Sequence, residues 1–159
     1  MTQTIEGRTL AGMAVQLENR VCVVTGAARS IGLAIAERYA ADGARVALLD
    51  VNPAVKQEAA RMAAAGRSAA GYAVDVTDRE AVLACFVDIV QRLGPVYCLV
   101  NNAGLVDQRP FEQITPELMD RIMRVNVHGS LYCAQAAAPS MPARSARRSR
   151  YPTTRNTTA

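Results

Sequence analysis

The sequence is poor in metal ligands: it has one histidine, His128, and four cysteines, Cys22, Cys85, Cys98 and Cys133, with no Cys-x-x-Cys spacing. Thiols this far apart, with no imidazoles to complete a tetrahedral set, argue against a metal site and read as buried, reduced thiols of a cytoplasmic protein. Apolar runs are short, and none reaches the roughly 20 residues that cross a bilayer. The N-terminus MTQTIEGRTLAGMAVQLENR has no cationic start followed by a long apolar block, so neither a secretory signal nor a membrane partner is expected. Acidic residues are missing altogether from Met141 onward, where Arg144, Arg147, Arg148, Arg150 and Arg155 stand unopposed. The other 13 basic and 14 acidic groups leave residues 1–140 near −1, so the formal net charge of +4 belongs to the tail. A nucleic-acid protein spreads its basic patch over a folded face. Here the excess is terminal and lacks hydrophobic periodicity, so specific nucleic-acid binding is not expected of the folded part. What remains open to the tail is nonspecific contact with anionic surfaces.

Half of the 159 residues are apolar, enough for one domain with a core. VCVVT (21–25) is a β-rich run of the kind buried on both faces of a parallel sheet. The turn GAARS leads into IGLAIAERYAADG, where Ile31, Ile35 and Tyr39 recur at helical spacing and Gly43 is a stop. ARVALLD (44–50) is a second strand. Pro53 opens a helix that ends at Gly66. GYAVDV (71–76) reads as a third strand, and Thr77 or Asp78 caps the helix DREAVLACFVDIVQRLG. VYCLVNN (96–102) is a fourth. After a loop, Thr115-Pro-Glu-Leu starts a long helix through MDRIMRVNVHGSLYCAQAAA. Strand and helix alternate four times, with connections too long for hairpins, which predicts an α/β fold: a doubly wound, Rossmann-like parallel sheet in three α/β/α layers. The sheet is incomplete at about four strands, because no fifth follows residue 140. The expected divisions are an N-terminal extension (1–16, with Met13 as an alternative start), the folded unit (17–140) and a disordered basic tail (141–159).

The first strand-to-helix turn, Thr25-Gly-Ala-Ala-Arg-Ser-Ile-Gly32, has the makings of a phosphate cradle. Small residues and a helix N-terminus bring backbone N–H groups close to an anion. Gly26 permits the tight turn and Gly32 lets the helix pack on the sheet. Asp50 closes the next strand 24 residues after Gly26. A carboxylate there can accept hydrogen bonds from both ribose hydroxyls and repels a 2′-phosphate, which favours NAD over NADP. The plainer alternative is an aspartate that only caps its own turn. Arg29, in the turn itself, pulls the other way, since a guanidinium can serve a 2′-phosphate.

Together TGAARSIG, the strand-ending Asp50, Asp75-Val76, Asn101-Asn-Ala-Gly104 and the helix motif VNVHG resemble the short-chain dehydrogenase/reductase family, in order and in context, over residues 17–140. The resemblance implies an NAD(P)-dependent oxidoreductase moving a hydride between an alcohol and a ketone. It implies that Gly26, Arg29, Ser30, Ile31 and Gly32 surround the cofactor phosphates. Asp75 would bind the adenine amino group with Val76 beside the ring, and Asn102, Ala103 and Gly104 would lie against the cofactor. Asn126 would match the catalytic asparagine, whose kinked helix backbone anchors a water. Ser30 stands where the family usually has glycine, and either donates its hydroxyl to the ligand or weakens binding. His128 has no assigned partner and reads as incidental. A homo-oligomer is the family's usual state, but its interface uses the Asn126 helix together with one not present here.

The same resemblance exposes what is missing. Family catalysis needs a serine ending a fifth strand and a Tyr-x-x-x-Lys pair on the next helix, with the lysine lowering the tyrosine pKa. Tyr151 and Arg155 copy that spacing, but no apolar strand precedes them, Pro152 opposes a helix, and a guanidinium does not replace a compact ammonium. Ser145 and Ser149 have no better support as the missing serine. An Arg-, Ala-, Pro-, Ser- and Thr-rich tail is what a GC-rich gene yields out of frame, so a truncated or frameshifted family member is the first expectation. A genuine, divergent short protein is the second, a nonenzymatic dinucleotide-binding or regulatory module whose basic tail meets a partner. The truncated form is expected to be poorly soluble, to hold NAD weakly and to lack turnover.

Overall fold

The structure, a computed structural model, describes residues 17–142 and the backbone of Thr4–Ile5 and Arg8–Thr9. Those last two segments pair antiparallel within the expected extension. The proposed Tyr151–Arg155 pair, Ser145 and Ser149 lie outside the described residues.

Four parallel strands form the sheet: β1 (Val21–Thr25), β2 (Arg45–Asp50), β3 (Ala69–Ala73) and β4 (Val96–Val100). Their order is β3-β2-β1-β4. The chain winds outward from β1 through β2 to β3, then returns to the other side of β1, so the order reverses between β1 and β4. In open α/β sheets the crevice at such a reversal, beyond the carboxyl ends of the strands, is where ligands bind. The register makes those ends level: Thr25 pairs with Leu49, Val24 with Val100, and Asp50 with Ala73.

Alternate strand residues feed two cores. Cys22, Val24, Val46 and Leu48 pack against α1 (Ser30–Ala41) and α2 (Val55–Ala64), while Val21, Val23, Ala47 and Leu49 face α3 (Arg79–Leu93) and α5 (Ser130–Ala137). The sheet is therefore covered on both sides, which is why its strands are apolar runs and not alternating ones. α1 buries only small residues, Gly32, Ala36 and Ala40, and so lies close on the sheet. α3 contributes the large ones, Val82, Phe86 and Ile89. Truncating the fully buried Phe86 to alanine is worth about 3–5 kcal/mol by the usual cavity cost.

Local signals were mostly obeyed. Of the two candidate caps for α3, Asp78 is the one used, accepting from the Ala81 N–H at 3.0 Å. Thr115 caps α4 (Pro116–Met123), accepting from Leu118 N–H, with Pro116 opening the first turn. The third strand lies earlier than its valines indicated, at Ala69–Ala73 and not 71–76, because pairing with β2 runs from Val46–Ala69 to Asp50–Ala73. The long final helix is also interrupted. Between α4 and α5, residues Arg124–Gly129 form a π-helical turn. Among the described residues, β4 pairs with β1 alone.

Candidate functional site

The turn after β1 is shaped by contacts that exclude side chains. Gly26 has φ +65°, and a Cβ there would come within 2.9 Å of both Ala103 Cα and Asn102 Nδ2. At Gly32 a Cβ would sit 2.1 Å from the Gly26 carbonyl oxygen. Two glycines thus allow the first turn of α1 to press onto the loop before it. Arg29 is extended (φ −163°) and makes no capping bond with its side chain, and α1 has no acid in its first turn. The positive end of the helix is left to a ligand. Ser30 adopts φ +51°, a left-handed conformation that glycine takes freely and an L-residue takes at a cost. Ile31 projects outward, 70% exposed.

Asp50 caps its own turn, the plainer of the two roles its sequence position allowed, and it also reaches the first loop. One oxygen accepts from the Asn52 N–H at 2.9 Å, which caps its own turn. The other accepts from the Ala28 N–H at 2.9 Å and ties β2 to the glycine turn. Asp75 directs a single oxygen, Oδ1, to the Thr77 N–H and hydroxyl, both at 2.8 Å.

The Asn101-Asn-Ala-Gly segment is held to the turn through Thr25, the one buried polar residue among those described. Its hydroxyl oxygen accepts from the N–H groups of Asn102 and Ala103, each at 3.0 Å, and its proton is directed to the Val100 carbonyl. The Asn102 amide in turn donates to the carbonyls of Thr25 and Gly26, at 3.0 and 3.2 Å. Asn101 donates to the Ser130 carbonyl at 3.1 Å, joining the segment to α5. Asn126 lies within the π turn, and its amide makes two bonds to the backbone of Leu105. The backbone carbonyl of Asn126, the group expected to hold a water, accepts from the Ser130 hydroxyl at 2.9 Å. A π turn widens the helix by one residue, and that is the distortion the resemblance implied at this position.

These elements surround one cleft of about 630 Å³ at the carboxyl edge of the sheet. Gly26, Arg29, Ser30, Ile31, Gly32, Asp50, Asp75, Val76, Asn102, Ala103 and Gly104 all line it, although they come from four separate stretches of chain. Asn126 is not on the wall but fixes Leu105, which is. Sequence reasoning missed Thr25 as the organising hydroxyl, and it missed Arg121 and Arg124, which also line the cleft. The signal for the arginines was present, since residues three apart share a helix face. None of Arg29, Arg121 and Arg124 belongs to an ion pair among the described residues. All four cysteines are free thiols, and no group of three potential metal ligands occurs among the described residues. Nor is any described helix long and apolar enough to cross a membrane.

A glycine turn opening a helix, a strand-ending aspartate and an Asn-Ala-Gly loop meeting at the sheet's reversal point is a sharp pattern, and comparison with known proteins agrees. The pattern of the short chain dehydrogenase family matches residues 20–148. The chain belongs to the short-chain dehydrogenase family. Sorbitol dehydrogenase from Cereibacter sphaeroides is 43% identical over 129 residues, covering 80% of this chain and 49% of that protein. Galactitol 2-dehydrogenase from Agrobacterium fabrum is 36% identical, covering 82% and 50%. Among solved structures, a putative short-chain alcohol dehydrogenase from Sinorhizobium meliloti superposes with a TM-score of 0.73 at 36% identity, covering 80% of this chain and 51% of that one. The chain thus spans about half the length of the relatives it matches.

For a short-chain dehydrogenase the implied cofactor is NAD(P), and the residues present fit one. Gly26 and Gly32 leave a cradle that a Cβ would fill, and the helix behind it offers unshared positive potential to a pyrophosphate. The catalytic partners are another matter. The whole sequence contains one lysine, Lys56. It is exposed on α2, with no tyrosine four residues before it, so no Tyr-x-x-x-Lys pair can be drawn from this chain.

Proposed function

We propose that this chain is a dinucleotide-binding half of a short-chain dehydrogenase, holding NAD in preference to NADP and lacking turnover by itself. The observation that carries the reading is the convergence of eleven residues, selected by their sequence context, on a single cleft. In this reading the pyrophosphate lies over Gly26–Gly32, the adenosine ribose meets Asp50, and the adenine ring reaches Asp75 and Val76. Asp50 supports NAD because a 2′-phosphate would have to approach a carboxylate already held in place by two backbone N–H groups. In an intact enzyme the substrate would be an alcohol or ketone, and the sorbitol and galactitol dehydrogenases among the relatives favour a polyol. Fluorescence titration with NADH tests the reading. Wild type should bind more tightly than Asp50→Ala and prefer NADH to NADPH. Equal affinity for the two cofactors would refute the NAD preference, and reductase activity in rigorously purified chain would refute the loss of turnover.

The unopposed arginines from Met141 onward favour a second reading, a nonenzymatic dinucleotide-binding or regulatory module whose arginine-rich segment meets a partner. A salt-sensitive partner lost on deleting 141–159, with NADH binding intact, would support it over the first.

A further inference from the structure

Arg121 and Arg124 are unexplained by the phosphate turn or by the Asn-Ala-Gly loop. They stand three residues apart at the end of α4 and the start of the π turn, and both line the cleft. Arg124 lines a second, smaller pocket as well, about 240 Å³, with Thr77, His128 and Tyr132. Arg124 and Thr77 are the two residues common to both cavities. That places Arg124 at the Asp75–Val76–Thr77 end of the cleft, away from the turn that would take the phosphates.

The chemistry at this end is that of a slot for a flat heteroaromatic ring carrying an amine. Val51, Val76 and Val125 supply apolar wall. Asp75 spends one oxygen on Thr77 and has no recorded partner for the other among the described residues. A guanidinium beside such a slot has two uses. It can act as a charge toward a phosphate, or as a planar group stacked on a π face. The position argues for the second, since the phosphate end lies at Gly26–Gly32.

Resting on the cofactor reading above, we propose that Arg124 is a cofactor-positioning residue that stacks its guanidinium on the adenine ring. Stacking depends on the planar fork, whereas attraction to a phosphate depends only on charge, so two variants separate them. Arg124→Met and Arg124→Lys are made in the full chain and titrated with NADH. Both should lower affinity about three- to fivefold, the range of an exposed cation–π contact. Their thermal midpoints without ligand should match wild type, because the Arg124 side chain makes no ion pair or hydrogen bond among the described residues, and its backbone bonds to the Asp120 and Arg121 carbonyls survive either substitution. Unchanged affinity in Arg124→Met overturns the proposal. So does wild-type affinity in Arg124→Lys, which would make the residue a point charge. A wild-type chain that binds no NADH overturns the cofactor reading itself and this inference with it.

Discussion

Asn126 closes both hydrogen bonds of its side-chain amide on a single residue, Leu105: Oδ1 accepts from the N–H at 2.7 Å and Nδ2 donates to the carbonyl at 3.0 Å. The π turn is thereby locked to the loop that follows the Asn-Ala-Gly motif. Asn126→Asp keeps the acceptor but replaces the donor with a charged oxygen facing a carbonyl. Loss of one bond and the new repulsion should lower stability by about 1–2 kcal/mol, read as an earlier urea midpoint with an unchanged slope. A midpoint equal to wild type would show that the clamp contributes nothing.

Ser30 carries a left-handed φ of +51° at a position the family gives to glycine. Ser30→Gly removes the Cβ–carbonyl crowding, offset in part by a more flexible unfolded chain, for a net gain of about 1 kcal/mol. Calorimetry should record a rise in Tm. NADH affinity then separates the two readings of the hydroxyl: a fall in the glycine variant means that the serine donates to the ligand, and a rise means that it obstructs binding.

Gly129 meets Val76 so closely that an added Cβ would stand 2.7 Å from Val76 Cγ2. Gly129→Ala should destabilise by about 1–3 kcal/mol through overpacking. Adding Val76→Ala removes the obstructing methyls, so the double variant should be more stable than the sum of the two single effects allows. Strict additivity in the denaturation midpoints would mean that the two residues do not compete for this space.

The thiols split in opposite directions. Cys22 and Cys98 are paired across β1 and β4. The Cys98 thiol is pulled down to about 6, chiefly because the Cys22 thiol donates a hydrogen bond to it, with burial opposing and Tyr39 adding a second donor. Limited iodoacetamide labelling at neutral pH, read by peptide mass spectrometry, should therefore mark Cys98 first. Preferential labelling of Cys85 would contradict the pairing.

Burial pushes Cys85 up to about 12 and Cys133 up to about 11. These groups stay protonated in the folded chain where the unfolded chain has begun to ionise. Their stabilisation is complete below the ordinary thiol value of 9.0 and is lost as pH rises from there toward 11–12. Thermal midpoints should fall over that window, and less steeply in Cys133→Ala.

Much of this was legible in one dimension. VCVVT and VALLD announced buried parallel strands by being apolar without alternation, and the alternation of strands with helices left few topologies. Asp50 and the glycine turn could be paired by spacing because a βαβ unit brings the end of its second strand beside its first turn. Other features resisted. β3 lies two residues earlier at its start and three at its end than the sequence indicates, because Tyr72, Val74 and Val76 look more strand-like than Ala69 and Ala70, while backbone pairing with β2 made the choice. Local propensity gave no sign of the interruption in the last helix, because every residue of RVNVHG except glycine tolerates a helix; only the family resemblance implied a kink there.

Sequence alone, then, determined the fold class, the family and the absence of a Tyr-x-x-x-Lys pair, since each depends on residue type and local spacing. Tertiary structure decided how four distant stretches share one wall, that the Thr25 hydroxyl ties two strands together, and that Asn126 holds Leu105. Those relations join residues about 20 to 80 positions apart through the level carboxyl ends of the strands, where neither composition nor periodicity can register them.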